Sequence, residues 1–128
     1  MIRGLLKNSG FYIYLKYFRK KFFPSVSQRE EAAQIPEKVR FYRQFVNPGN
    51  LCFDVGANIG NRTEIFLRLG ARVVAIEPQT TCQRMLKLRF GDRIKLYGTA
   101  LGDAEKEGLM STNESSEISS MSREWIDA

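Results

Sequence analysis

The chain of 128 residues carries twenty basic and fourteen acidic side chains, a net charge of +6, two cysteines and no histidine. Its length suits one domain of ordinary size, and the lack of histidine excludes, within these residues, an imidazole base, a Ser-His-Asp triad and most zinc sites. Cys52 and Cys82 lie thirty residues apart, one in an expected strand and one in an expected helix. They read as reduced, buried small side chains of a cytoplasmic protein rather than as a disulfide or a metal pair.

The charge is uneven along the chain. Residues 1–23 hold six basic side chains and no acid, while residues 24–128 hold fourteen of each sign, so a basic arm precedes a neutral core. On a helical wheel Phe11, Leu15, Phe18 and Phe22 form a stripe with Lys16 and Lys20 roughly opposite, the pattern of an amphipathic helix. Three readings are open for this arm: contact with an anionic membrane surface, binding of an acidic partner, or packing of the aromatic stripe on the sheet that follows, the last preferred. Charges interrupt it before about 20 apolar residues accumulate, so it is not a membrane span, and it lacks the apolar core and small-residue cleavage site of a signal peptide. The rest of the chain offers no basic face for nucleic acid.

Between arm and core, Ser27-Gln28-Arg29-Glu30 is expected to be a capping box that opens a short helix. Pro36 suits the first turn of another helix, with Val39, Tyr42, Phe45 and Val46 at helical spacing before Asn47-Pro48-Gly49 ends it. This helix is expected to cover the sheet near the loop described next.

Residues 51–63 are the most informative stretch. An apolar run ends on Asp54 and breaks into Gly56-Ala57-Asn58-Ile59-Gly60; Thr63 to Leu69 then read as a helix with an apolar face that Gly70 stops. A second run, Arg72 to Ile76, ends on Glu77-Pro78. Strand, glycine loop, helix, strand and acid make one βαβ unit of a nucleotide-binding sheet. A dinucleotide fingerprint needs glycine at its first, third and sixth positions so that pyrophosphate can approach the backbone. Here the third position is Asn58, which argues against NAD and FAD. A loop of the form Asp-x-Gly-x-x-x-Gly suits a ligand that passes an amino-acid moiety around the turn, and S-adenosylmethionine is such a ligand.

On that reading Asp54 either binds the methionyl ammonium or fixes the loop, and Gly56 and Gly60 permit positive φ and close backbone approach. Glu77 accepts both ribose hydroxyls, since a carboxylate offers two acceptor oxygens and no donor. The bland alternative is a tight turn with Glu77 as a solvated strand-end residue. A second crossover helix is expected over about 80–90, carrying Cys82, Met85, Leu86 and Leu88 to Phe90 and closing at Gly91, and a third strand over 94–100. Residues 103–124 mix acids, glycine and serines, a composition of flexible loop or weak hairpin.

Residues 38–128 resemble the N-terminal part of the FkbM-type methyltransferases, a class I S-adenosylmethionine-dependent family associated with O-methylation. The resemblance rests on Phe41-Tyr42 ahead of Asn47-Pro48-Gly49-Asn50, on Phe53-Asp54-Val55-Gly56-Ala57-Asn58-Ile59-Gly60, on Val74-Ala75-Ile76-Glu77-Pro78, and on Ala100-Leu101-Gly102-Asp103 with the serine-rich stretch behind it. It implies methyl transfer to a hydroxyl of a small molecule or saccharide, with no metal. The cofactor would lie against Asp54, Val55, Gly56, Ala57, Asn58, Gly60, Glu77 and Pro78, and Ala100 and Leu101 would edge the adenine; no catalytic residue is assigned.

The expected fold is α/β, a partial class I methyltransferase or Rossmann-like parallel sheet of about three strands with flanking helices. It divides into an N-terminal helical arm over 1–23, a helical lead-in over 24–48 and an incomplete cofactor-binding domain over 49–128. A family member would continue into a fourth strand with an Asp-x-Glu-Gly type motif, so the chain reads as a fragment whose first strand is left at the edge of a 3-2-1 sheet. Leu51-Cys52-Phe53 carries none of the charges or prolines that guard an edge, and poor stability or self-association through that edge is expected. The alternative to an enzyme is a non-catalytic remnant that acts as a binding or interaction module or has no activity.

Overall fold

A computed structural model describes residues 10–105, 107, 111–112 and 119–120. In chain order these form helices α1 (Gly10–Phe22), α2 (Val26–Ala33) and α3 (Ile35–Tyr42), strand β1 (Leu51–Val55), helix α4 (Asn61–Arg68), strand β2 (Arg72–Ile76) and helix α5 (Thr80–Phe90). A single 3₁₀ turn (Gly91–Arg93) then leads to strands β3 (Ile94–Tyr97), β4 (Ser111–Thr112) and β5 (Ser119–Ser120).

The three apolar runs pair as one parallel sheet in the order β1-β2-β3, with Phe53 beside Val74 and Val74 beside Lys95. This is a partial Rossmann-like α/β fold, and β1 lies at the edge as expected. The register assigns Cys52 and Asp54 of β1, Val73 and Ala75 of β2, and Ile94 and Leu96 of β3 to one face. That face carries the core. Ile65, Phe66 and Leu69 of α4 and its C-cap pack with Val73 and Cys52, while Leu86 and Phe90 of α5 pack with Ala75 and Leu96. On the opposite face Phe53 is 60% exposed and Leu51 and Val55 are each 50% exposed. Among the described residues the sheet is therefore covered by helices on one side.

The crossover helices end where glycine permits it. Gly70 has φ +80° and Gly91 φ +53°; a side chain at Gly70 would also stand 3.2 Å from Cβ of Pro48. The turn at Asn47–Asn50 is pinned to this spot because the Gly49 N–H donates to the Gly70 carbonyl at 2.8 Å. The third strand stops at Tyr97, short of residue 100.

The lead-in differs from expectation in three respects. The capping box is at Ser25, not Ser27: the Gln28 N–H donates to Ser25 Oγ at 3.4 Å, and the Ser25 N–H donates to Gln28 Oε1 at 2.9 Å. Pro24 supplies the reason, because it disfavours helical backbone at Phe23 and makes Ser25 the first residue able to cap a new helix. Helix α3 begins with Pro36 in its first turn but ends at Tyr42, and it packs on α4 rather than covering the sheet. Tyr42 meets Phe66 edge to face at 5.3 Å, and Val46, in the turn beyond, is buried.

The arm is helical, yet it does not lay its aromatic stripe on the sheet. α1 packs against α5 through the opposite side, where Ile13 is buried, and Phe11, Leu15 and Phe22 of the stripe are exposed. In the serine-rich region Ser111 pairs antiparallel with Ser120 and Thr112 with Ser119; residues 106, 108–110, 113–118 and 121–128, and positions 1–9 of the arm, lie outside the described residues.

Candidate functional site

The glycine loop and the acid of β2 meet at the carboxyl end of the sheet. Gly56, Asn58 and Gly60 all have positive φ, at +68°, +50° and +88°, so the chain reverses tightly after β1. Asparagine is among the side chains that tolerate this region. The loop is tied down by its own backbone: the Gly56 and Ala57 N–H groups both donate to the Ile76 carbonyl, at 2.9 and 3.2 Å.

Glu77 completes the tie. Its Oε2 accepts the Asn58 N–H at 2.8 Å and its Oε1 accepts the Gln79 N–H at 2.8 Å, and the residue is 3% exposed. This excludes the bland reading of a solvated strand-end residue. Each carboxylate oxygen has a second lone pair, so Glu77 can accept further donors beside these two.

Asp54 is equally buried. Thr63 Oγ1 donates to Asp54 Oδ2 at 2.6 Å, with both residues inaccessible to solvent. Arg62 Nη1 stands 3.7 Å from Oδ1. The carboxylate thus ties the end of β1 to the first turn of α4 behind the loop.

The two glycines have different tasks. A Cβ at Gly60 would fall inside the van der Waals envelope of the Phe90 ring and 2.8 Å from Leu86 Cδ2, whereas a Cβ at Gly56 would meet nothing within 4 Å. Gly60 lets α5 close on the loop. Gly56 faces open space, as a ligand passing the turn would require, while Glu77 is occupied by main chain. Val55 is exposed and Ala57 is buried. Ala100 and Leu101 follow β3 at the same end of the sheet and are exposed; no hydrogen bond among the described residues joins them to the loop.

Two participants were not foreseen. Thr63 could have been suspected from its place in the first turn after a glycine loop, facing back to a strand-end acid. Arg89 of α5 left no sequence signal, because its partners are distant in the chain: it donates to the Ile59 carbonyl, to Asn61 Oδ1 at 3.2 Å and to Glu64 Oε2 at 2.7 Å. Glu64 also holds Arg68 at 2.6 Å. Arg89 thus clips the far side of the loop to α5.

Neither cysteine is in a disulfide; Cys82 Sγ donates to Asn58 Oδ1 at 3.8 Å, and burial pushes the Cys52 thiol above its ordinary pKa. No group of three metal-ligating side chains occurs among the described residues, and no described helix is long and apolar enough to cross a membrane. Two cavities are formed on the helical layer. One, of about 490 Å³, is lined by Gln28, Glu31, Tyr42, Asn61 and Arg62 among others, and a larger one of about 960 Å³ lies between α1 and α5. Neither is lined by Gly56, Asn58 or Glu77.

No protein-family profile matches the chain, and no curated protein does. Among solved structures it is similar to a putative rRNA-methylase from Clostridium thermocellum, with 19% identity and a TM-score of 0.45 over 52% of this chain and 40% of that one. The chain therefore spans less than half the length of the solved protein it matches.

Proposed function

We propose that the chain carries the cofactor-binding part of an S-adenosylmethionine-dependent methyltransferase of the FkbM type, acting on a hydroxyl oxygen of a small molecule or saccharide. The observation that carries this reading is the Asn58–Glu77 hydrogen bond at 2.8 Å, which sets a glycine loop and a buried acid side by side at the carboxyl ends of adjacent parallel strands. Open α/β sheets bind their ligands at that end.

In this reading Gly56 leaves room for the aminoacyl part of the ligand, Glu77 accepts the ribose hydroxyls in place of one of its main-chain donors, and Ala100 and Leu101 edge the adenine. Asp54 and Thr63 hold the loop's following helix in register. When bound, S-adenosylmethionine supplies an electrophilic methyl group on a sulfonium. The residues contribute alignment and exclusion of water, and no side chain is assigned as a base.

The second reading, an interaction module without catalysis, draws on the exposed face and open edge of β1. Calorimetric titration of the full chain with S-adenosylmethionine and its demethylated product separates the two. Saturable binding that Gly56→Val abolishes supports the cofactor site. Unchanged affinity in that variant removes the loop from the site, and no heat of binding up to millimolar ligand favours the interaction module.

A further inference from the structure

The side of α1 turned away from the domain is a built amphipathic surface. At about 100° per residue, Phe11, Leu15, Phe18 and Phe22 fall within an arc of about 60°, and Ile13, the residue that seals α1 onto the domain, is roughly opposite. The stripe therefore faces outward. Phe11 is 75% exposed and Phe22 63%, and Phe23, just past the helix, is 80% exposed. Rings stack along the ridge, Tyr14 with Phe18 at 4.5 Å and Phe18 with Phe22 at 5.8 Å, so the ridge is preformed rather than loose.

Charge says what covers it. On the same wheel Arg19 and Lys21 stand about 80° to either side of the stripe; the Arg19 stem can lie along an apolar surface with its cation above it, while Lys21 turns toward the Tyr17 ring, its Nζ 6.0 Å from the centroid, on the side of the cavity behind the helix. The arm contains no acid. Behind it, the 960 Å³ cavity between α1 and α5 is lined by Lys16, Lys20, Lys21, Arg68, Arg89 and Arg93, and its one acid, Glu64, is already held by two arginines. A second copy docking stripe to stripe would offer no acid from either arm to pair Arg19 and Lys21. A surface that is apolar below and negative above has no such conflict.

We infer that α1 seats the protein on an anionic phospholipid bilayer, with Phe11, Leu15, Phe18 and Phe22 in the headgroup boundary, Arg19 on lipid phosphates and carboxylates, and Lys21 adding to the positive field from the flank. The helix lies in the plane of the interface, as amphipathic segments of low overall hydrophobicity do. The inference is independent of the cofactor reading, because the stripe and the glycine loop share no residue.

The test is co-sedimentation of the full chain with vesicles of phosphatidylcholine alone and of phosphatidylcholine with about one third phosphatidylserine, in about 0.1 M salt. Binding is expected to the anionic vesicles only, to weaken in high salt, and to fall about tenfold or more in the triple variant Phe11→Ser, Leu15→Ser, Phe22→Ser and in the pair Arg19→Glu, Lys21→Glu. In a Phe22→Trp variant the indole emission should shift to the blue on anionic vesicles. Equal binding to neutral vesicles, unaltered binding by the triple variant, or no shift in emission would overturn the inference. So would vesicle-free self-association that the triple variant abolishes, which would make a second copy the occupant.

Discussion

Asn58 and Glu77 are nineteen residues apart, yet the backbone N–H of the first donates to the carboxylate of the second at 2.8 Å. One carboxylate thus holds the turn after β1 to the end of β2, and it does so from a buried position, so loop shape and cofactor reading depend on the same side chain.

Glu77→Ala is therefore expected to have two effects. It leaves the Asn58 and Gln79 N–H groups without their buried acceptor, which costs about 1–3 kcal/mol of folding stability, and it removes the proposed ribose contact, worth about 1.5–3 kcal/mol of binding. Urea unfolding and calorimetry read the two separately. A folding midpoint equal to that of the exposed control Glu37→Ala would contradict the first, and unchanged cofactor affinity the second.

Thr63→Val keeps the shape of the side chain and deletes the hydroxyl that Asp54 accepts. Because both residues are inaccessible, the carboxylate would be left without its closest donor, at a cost of about 1.5–3 kcal/mol. Thr63→Ser should restore most of this. Chemical denaturation of the three forms is the measurement, and a valine variant as stable as the serine variant would mean the hydrogen bond is idle.

The two loop glycines should respond to different degrees. Gly60→Ala drives a methyl group into Phe90 and Leu86 at a left-handed position, so a loss of about 3 kcal/mol or more is expected. Gly56→Ala meets only the left-handed penalty, about 1–2 kcal/mol, and Gly56→Val should eliminate cofactor binding through its bulk in the open space. Thermal unfolding that ranks the two alanine variants the other way round would reassign the packing role.

At the edge of the sheet, Phe53 is more than half exposed, on the face opposite the strand's one charge, Asp54. Concentration-dependent association is expected in sedimentation velocity, and Phe53→Lys should suppress it by placing a cation on the uncovered face. A wild-type chain that stays monomeric throughout would remove the edge as an interface.

The alternation of runs and stops was readable from the chain. β1, α4, β2 and α5 fall where the apolar stretches and Gly70 and Gly91 indicated, because a parallel strand buried against helices and a glycine C-terminal stop are local signals. The loop geometry was also legible, with positive φ at Gly56 and Gly60. What could not be read was which of two equivalent choices would win. Ser25 and Ser27 are each followed three residues later by Gln or Glu, and Pro24 decided between them. The wheel of α1 showed a stripe but not whether it faces in or out, since Ile13 on the other side is also apolar. The hydrogen bond from Thr63 to Asp54 could not be read either, because that hydroxyl becomes a neighbour only after the loop folds back. Arg89 depends on tertiary proximity alone.

The one-sided covering of the sheet has a kinetic signature in amide exchange. β2 is the strand flanked by neighbours on both sides and roofed by α4 and α5, so the protons on Val73 and Ala75 should be released only when the whole unit opens. β1 has solvent along one edge and over Leu51, Phe53 and Val55, so half of its amides should exchange by fraying that leaves β2 and β3 intact. A deuterium map would then show protection falling off from the centre of the sheet toward the strand that leads into the glycine loop. The loop would inherit that local opening rate, which sets how often Glu77 is bared to a ligand.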